Sequence, residues 1–244
     1  MKKQLLLGAI AGFGLVILAG CGLNPLNAFS GDTKSYEINV EKDEAKKLEV
    51  KLDLGVGEMN VAGGSEQWVT GIIEYNKKKF EPEVTYNLDG DTGKVAIDQD
   101  RNLDVDISIG DSKNGWNLGL TNDVPIALEV NAGASDTNLD LRGLHLSDLA
   151  IDAGVGDVKV DLSGDWKQSF DVTFNTGIGE TTVVLPKDVG VKVVSSKGIG
   201  TSEFTGLISQ GDGIYFNEAY ETAEVIITLD ADIGIGESKF EVKN

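Results

Sequence analysis

The chain has 244 residues, a formal net charge of −19 at pH 7 and a sequence pI near 4.3. Its 40 acidic residues argue against nucleic acid as a partner, because polyphosphate would be repelled and no basic aromatic patch offsets the charge. The composition also includes one cysteine and one histidine, too few for a zinc site built from several Cys and His side chains.

The N-terminus has the pattern of a secretory signal peptide over residues 1–20. Lys2 and Lys3 are followed by an apolar run and then by the small residues Ala19 and Gly20, directly before Cys21. This end resembles a bacterial lipobox, which implies cleavage before Cys21 and a thioether-linked lipid on its sulfur. An uncleaved membrane span is the alternative, but the apolar run is short for a bilayer that needs about 20 residues.

The predicted location is therefore the extracytoplasmic face of the cell membrane, or the outer membrane if the source is a diderm. Residues 21–35 are predicted to form a flexible tether, because they lack a lasting apolar period. The mature chain would keep 19 basic and 40 acidic residues, a formal charge of −21. An anionic membrane face would repel it, so the lipid alone is expected to provide membrane contact.

Residues 36–244 are predicted to form one β domain, less regular over 36–130 and clearly repetitive over 131–244. A Gly-x-Gly or Gly-x-Ser step recurs along it, and four consecutive steps lie 21, 23 and 21 residues apart. This spacing indicates an internal repeat. Its predicted structural-turn glycines are Gly55, Gly57, Gly133, Gly154, Gly156, Gly177, Gly179, Gly198, Gly200, Gly234 and Gly236.

The apolar residues around each step predict a corner between two strands. They alternate up to Val155 and resume at Val158, a gap of three where a straight strand has two. Because a slip of one residue would turn every later side chain to the wrong face, the backbone must bend at the glycines. Intervening polar residues such as Asp152 and Lys159 are expected to face solvent.

Stacked corners of this kind predict a parallel β-helix-like solenoid, with about eight to ten coils of 21 to 23 residues. Between Gly198 and Gly234 the interval is longer, and Gly206 to Thr222 is predicted to form a projecting loop or hairpin. A β-sandwich is the alternative, since alternating strands with Gly-rich turns also suit it.

The segment from Leu52 to Gly64, followed by Pro82 to Tyr86, Trp116 to Leu118 and Asn122 to Pro125, resembles the toast-rack domain. That family is related to cell-wall-active antibiotic response proteins and to candidate adhesins built from stacked β coils. The resemblance covers residues ~45 to 242. Each glycine step is a weak signal alone, and the ordered set of steps is what supports the resemblance. It implies an envelope location and a β-solenoid, and it implies no catalytic residues.

The glycine steps, the single histidine and the tryptophans are the candidates for ligand chemistry. Each glycine step leads into another strand, whereas a dinucleotide phosphate needs a following helix, so no cofactor is predicted. His145 lacks a nucleophile elbow nearby and is predicted to be a turn or surface residue. Trp116 is the aromatic residue singled out for stacking on a sugar ring, although a buried tryptophan is commoner.

Calcium is the metal that the acidic residues could favour, although none is predicted. Pairs of carboxylates at i and i+2 share one face of a strand, where their mutual repulsion favours a cation. The alternative is a solvated acidic surface, and the nine-residue calcium-binding repeat is absent from this sequence. The pairs are Asp89 with Asp91, Asp98 with Asp100, Asp104 with Asp106, and Asp230 with Asp232.

These observations predict a non-catalytic, lipid-anchored envelope protein that provides a binding or scaffolding surface. An accessory role in envelope stress or adhesion follows only from the family resemblance, and an unknown envelope protein is the expected partner. The alternative is a glycan-binding or glycan-cleaving envelope protein, because parallel β-helices also host polysaccharide-acting enzymes.

Overall fold

The computed structural model of the chain describes residues 33–99 and 112–243. The predicted signal peptide and Cys21 lie outside the described residues, as does most of the tether. The described residues form a single fourteen-stranded sheet with one 3₁₀ turn at Lys78–Phe80. The strands are β1 (Lys34–Val40), β2 (Lys47–Gly63), β3 (Val69–Tyr75), β4 (Glu83–Asp89), β5 (Thr92–Asp98), β6 (Asn114–Leu120), β7 (Ile126–Asp140), β8 (Leu146–Val155), β9 (Val158–Asp161), β10 (Phe170–Pro186), β11 (Gly190–Thr205), β12 (Ile208–Gly211), β13 (Ile214–Phe216) and β14 (Ile226–Lys243).

The centre of the sheet is a stack of bent strands paired in parallel, which confirms the β-helix-like solenoid. Each long strand has a first arm before its glycine step and a second arm after it, and β8 and β9 are the two arms of one layer. Seven layers stack in the described part of the chain, in the order β5 with β6, β2, β7, β8 with β9, β10, β14 and β11.

Seven layers are fewer than the eight to ten coils expected, because several segments form antiparallel strands at the ends of the stack. β4 covers β5, and β3 covers β6 and pairs in turn with β1. At the other end the predicted hairpin is present as β12 and β13, which folds back on the first arm of β11. These antiparallel strands account for the less regular residues near the N-terminus and for the long interval before Gly234.

The order of the layers also departs from the chain order at both ends. β14, the last strand of the chain, lies between β10 and β11, and the layer of β5 and β6 lies outside β2. Only the layers from β2 through β10 follow the sequence. The glycine steps are nevertheless aligned between neighbouring layers from β2 to β11, because the register matches step to step, as with Gly179 and Gly236.

The interior is filled by one apolar side chain after another along each arm. Trp116, Phe174 and Phe240 are among the largest fully buried residues. The interior ends in a stack of parallel rings, with Phe204 5.0 Å from Phe240 and 3.7 Å from Tyr215 of the hairpin. Since each layer shares its apolar surface with two neighbours, stacking buries a core that no single coil could bury.

At the corners, one detail of the sequence prediction is wrong. Val155, expected to continue the interior pattern, is 53% exposed, because the middle residue of a step sits at the outer apex of the bend. The interior positions on either side are Ala153, which packs partly buried against the core, and Val158, which is buried. The gap between inward positions is therefore five residues, an odd number that still requires the bend.

Candidate functional site

The apices of the bent strands form a continuous apolar line on the outside of the solenoid, here called the corner ridge. Strand register places one residue of each layer beside the next across six layers. Ile178 is 51% exposed and Ile199 is 72% exposed. The corner ridge consists of Val56, Ala134, Val155, Ile178, Ile235 and Ile199.

Two residues beyond the corner ridge, a line of carboxylates runs parallel to it. This acidic row consists of Glu58, Asp136, Asp157, Glu180 and Glu237, one from each of five neighbouring layers. With neighbouring strands about 4.8 Å apart, five layers span about 19 Å. The sixth layer, β11, has Thr201 at this position.

Part of the acidic row has a structural role that sequence reasoning missed. The Asp157 amide donates to Asp136 Oδ1 at 3.3 Å, and the Glu180 amide donates to Asp157 Oδ1 at 3.0 Å. These amides directly follow the corner glycines Gly156 and Gly179. The available signal was the short acidic residue that follows the step in successive repeats.

Glycines make the close stacking at the corners possible. Gly156 and Gly179 have φ of 128° and 148°, a region that L side chains rarely adopt. A Cβ at either position would collide with a backbone carbonyl of the neighbouring layer, that of Ser135 or of Gly156. In the described layers the first glycines of the steps from Gly133 onward likewise approach a neighbouring carbonyl, whereas Gly55 has no such atom within 4 Å.

An open cleft of about 540 Å³ lies at the β6 end of the corner ridge. It is lined by Glu58 and Asp136 of the acidic row and by Glu74 with Lys113, whose charged groups are 3.2 Å apart. Asn114 forms part of its wall and donates to the Val56 carbonyl at 2.5 Å. Its charged lining suits a polar or cationic group of a partner rather than an apolar small molecule.

The tryptophans do not form a sugar-stacking surface. Trp116, the residue singled out for this role, has no exposed surface and lies in the core. Trp68 and Trp166 are also buried, and their indole N–H groups donate to Asp43 Oδ1 at 3.1 Å and to the Leu162 carbonyl at 2.7 Å. Stacking on a glycan would require these rings to leave the interior.

Both carboxylates of the first candidate calcium pair, Asp89 and Asp91, form ion pairs with lysines. Asp89 lies 3.2 Å from Lys94, and Asp91 lies 3.6 Å from Lys47. Asp100, Asp104 and Asp106 fall outside the described residues, so two of the proposed pairs have no described geometry.

Among the remaining candidates, Asp230 and Asp232 are exposed on β14, and Asp232 accepts a hydrogen bond from Ser196 Oγ at 2.8 Å. Burial raises the pKa of Asp98, with a smaller opposing effect from Lys51. No group of three or more His, Cys, Asp or Glu side chains positioned to hold a metal occurs within residues 33–99 and 112–243. His145 is an exposed residue of the turn between β7 and β8.

The comparisons with known proteins agree with this architecture. The sequence matches the family model for the N-terminal domain of toast_rack, DUF2154, over residues 29–184. A "putative cell adhesion protein" from Clostridium sporogenes ATCC 15579 has a solved structure with a TM-score of 0.83 and 29% identity, covering 87% of this chain and 100% of that chain. No curated protein matches the sequence.

More distant solved structures are similar to the chain over most of its length. A "putative adhesin" from Bacteroides fragilis NCTC 9343 has 13% identity and a TM-score of 0.32, over 86% of this chain and 98% of that one. A "putative lipid binding protein" from Parabacteroides distasonis ATCC 8503 has 10% identity and a TM-score of 0.24, over 88% and 98%. At these TM-scores, neither structure informs the function of the chain.

Proposed function

This chain belongs to the toast-rack family, and from that premise we propose that it is a non-catalytic protein of the cell envelope that binds another protein through its corner ridge and acidic row. The name of the Clostridium sporogenes protein, which refers to cell adhesion, supports a role at the cell surface. Within residues 33–99 and 112–243, no helix is long and apolar enough to span a bilayer. We propose that the chain is attached to the membrane by a lipid on Cys21, which the small residues before this cysteine support.

The observation that carries this proposal is the pairing of apolar and acidic lines on one convex surface. Exposed Val and Ile side chains are common singly, but an aligned series along several layers is a contiguous patch of the kind found at interaction sites. The adjacent carboxylates favour a partner whose contact surface combines apolar and basic side chains. A partner with a net negative surface would be repelled.

In this proposal the acidic row extends away from the membrane. Residue 33 leads into β1, which lies at one end of the sheet order, whereas β11 lies near the other end. Layers about 4.8 Å apart then carry the acidic row outward from the anchored end. A lipid with two or more acyl chains holds a protein stably at a membrane, whereas one chain holds it only marginally.

The glycan alternative has less support from the geometry. Glycan-cleaving enzymes use two carboxyl groups at a defined separation, and glycan binding commonly uses exposed aromatic rings. Here the three tryptophans are buried, while the acidic row repeats the same group in each layer. A repeated line of carboxylates suits a repeated cationic contact better than one reacting centre.

Crosslinking in the native membrane tests this function. The lipidated chain is mildly crosslinked in its own membranes, extracted, and compared by mass spectrometry with a control domain anchored through the same Cys21 segment. We expect a protein partner that is recovered with the solenoid and not with the control domain. Recovery of glycan or peptidoglycan fragments without a protein would contradict the proposal and favour the glycan alternative.

Incorporation of labelled fatty acid tests the proposed lipid anchor on Cys21 separately from partner binding. The unsubstituted chain should incorporate labelled fatty acid, and Cys21→Ser should abolish that incorporation. Membrane retention of the unsubstituted chain without any label would instead support an uncleaved N-terminal span.

A further inference from the structure

Four neighbouring layers present a large apolar side chain at the corner ridge. The exposed fractions of these side chains range from 47% to 72%. The other two apices contribute less apolar surface, because Ala134 is small and Val56 is half-buried. The four residues, in the order in which β8, β10, β14 and β11 stack, are Val155, Ile178, Ile235 and Ile199, and they are here called the exposed ridge.

The backbone beneath the exposed ridge is already hydrogen-bonded within the sheet. β10 pairs with β8 on one side and with β14 on the other, and β14 pairs in turn with β11. A partner that lies across these layers therefore contacts their side chains. An extended segment would press its own N–H and C=O groups against apolar side chains that cannot bond them, whereas a helix bonds most of these groups internally.

Carboxylates flank the exposed ridge on both sides. Asp157, Glu180 and Glu237 of the acidic row lie on one side, two residues after the apex. On the other side, three residues before each apex, the register aligns a second line of exposed polar residues. This second polar row consists of Asp152, Asn175, Asp232 and Ser196.

Carboxylates alternate with neutral donors in the second polar row. Asn175 Nδ2 donates to Asp152 Oδ1 at 2.8 Å, and Ser196 Oγ donates to Asp232 Oδ1 at the same distance. Within residues 33–99 and 112–243, none of the five carboxylates beside the exposed ridge forms an ion pair with a lysine or arginine. Both flanks therefore keep charge that a basic partner can neutralise.

The spacing of the exposed ridge matches a helix better than a strand. Its four layers span about 14 Å at about 4.8 Å per layer. A helix advances about 5.4 Å per turn, so one of its faces stays within about 2 Å of the layers over this distance. Side chains on one face of a strand repeat about every 6.7 Å, and over the same distance they fall out of step by more than a layer.

We propose that the partner binds the exposed ridge with an amphipathic helix whose apolar column is bordered by lysine or arginine on both sides. This inference rests on the proposed function and specifies the partner's element and charge pattern. Basic residues facing the acidic row recur at every turn. Those facing the second polar row recur at every second turn, because the neutral Asn175 separates Asp152 from Asp232. The glycine after each apex leaves room for long basic side chains to reach the acidic row.

Photo-crosslinking at successive apices in native membranes tests the helix. A photoreactive residue is placed in turn at positions 155, 178, 235 and 199 of the full chain, and mass spectrometry identifies the partner residue that each one labels. From the first position to the last, the labelled residue should advance in one direction by about ten positions, at about 1.5 Å per helical residue. An advance of about four positions, as in an extended segment, or no regular advance would overturn the helix.

The same experiment separates this inference from the function on which it rests. A protein adduct whose labelled residues advance as in a strand leaves the proposed function standing and overturns the helix alone. Absence of a protein adduct at all four positions would contradict the proposed function, and this inference with it.

Asp152→Asn combined with Asp232→Asn tests the second flank. Both asparagines can still accept the hydrogen bonds from Asn175 and Ser196, so the fold should be kept. The yield of the adduct at position 178 should fall roughly threefold or more, because the helix loses its charged contacts on one side. An unchanged yield would overturn the proposal of basic residues on both sides.

Glu218→Gln combined with Glu221→Gln is the matched control. It removes the same charge from two exposed positions in the loop before the first arm of β14, away from the corner. The control should leave the adduct at position 178 unchanged. If it lowers the yield as much as the Asp152 and Asp232 substitutions do, the effect is one of net charge, which contradicts the assigned flank. Thermal unfolding by circular dichroism checks that each variant is folded.

Discussion

Gly156 shows how a single residue sets the bend of a whole layer. Its positive φ turns the chain between β8 and β9, and the absence of a Cβ lets the Ser135 carbonyl of the next layer approach. The positive φ and the close approach of the carbonyl both exclude a Cβ at this residue. A residue that adopted the positive φ would still bring its Cβ into collision with the Ser135 carbonyl. The glycine is thus needed by the stack as well as by its own strand.

Gly156→Val is therefore expected to destabilise the fold by at least about 2 kcal/mol, combining backbone strain with a steric conflict against main chain. Urea unfolding followed by circular dichroism measures this change. Ala134→Val is the matched control, because it adds bulk at the exposed apex of the neighbouring layer. The control should change stability by less than about 0.5 kcal/mol. Equal stability of the two variants would contradict the corner argument.

Asp43 is the hydrogen-bonding centre of the loop between β1 and β2. Its carboxylate accepts from Tyr86 Oη at 2.6 Å, from Trp68 Nε1 at 3.1 Å and from the Ala45 amide at 3.0 Å. Burial alone would raise the pKa of Asp43, but these hydrogen bonds outweigh it and hold the pKa below its ordinary value of 3.8. Burial and the same carboxylate raise the pKa of Tyr86.

Asp43→Ala should destabilise the protein by about 1 to 3 kcal/mol near neutral pH, because it leaves the donors of Tyr86 and Trp68 without this acceptor. A carboxyl group whose pKa is lower in the folded than in the unfolded state stabilises the fold at any pH above its unfolded-state pKa. This stabilisation is lost as the pH falls through the folded-state pKa. The stability difference should therefore be constant above about pH 5 and shrink below pH 4. Urea unfolding across this pH range checks it, and a difference that grows in acid would contradict the assignment.

At the scale of the strand, alternation predicted the bent arms but not which residue forms the apex. The odd gap between Val155 and Val158 required a change of face, and the structure has that change. With Val155 inward, the spacing between inward positions across the corner is three residues, and with Val155 outward it is five. Both spacings are odd, so the sequence pattern could not distinguish the two orientations. The outward position depends on the sign of the bend, which is set by contacts with neighbouring layers.

The acidic row combines a favourable and an unfavourable contribution in one side chain. Asp157 accepts the Glu180 amide, which stabilises the bend, yet it lies between other carboxylates of the row. Like charges directly opposite one another on neighbouring strands are destabilising. The two contributions can be separated by removing only the charge.

Asp157→Asn should be at least as stable as the unsubstituted protein, because the amide oxygen can still accept the Glu180 N–H and the repulsion is removed. Asp157→Ala should be less stable than Asp157→Asn by about 1 kcal/mol, since the amide then loses its acceptor. Guanidinium would screen the charges, so urea unfolding at low salt is the appropriate measurement. Equal stability of the Asn and Ala variants would show that the hydrogen bond contributes nothing.

At the scale of the whole molecule, the solenoid and the extra hairpin were predictable, and the order of the layers was not. Every layer presents nearly the same step, so the sequence around Gly234 fits beside Gly177 as well as beside Gly198. The placement of β14 between β10 and β11 is therefore one of several similar pairings, which the local step does not distinguish. Local patterns contain little information about such choices.

The candidate site was less predictable than the fold. The glycines were identified as structural, but the corner ridge requires knowing that the apices face outward and align between layers. Trp116 lies in a Gly- and Asn-rich segment, which favours an exposed ring for sugar stacking, but the ring is fully buried. Surface function in a repeat protein depends on rows of residues distant in sequence, which only the register reveals.

Site-specific photo-crosslinking in native membranes tests the central claim that the corner ridge and acidic row bind a protein. A photoreactive residue is placed at position 178 on the corner ridge or at position 173, an exposed position on the first arm of the same strand. We predict a defined protein adduct at 178, little or none at 173, and loss of the 178 adduct when Asp157→Asn and Glu180→Gln neutralise the adjacent row. Equal labelling at both positions, or a 178 adduct that survives neutralisation unchanged, would contradict the account.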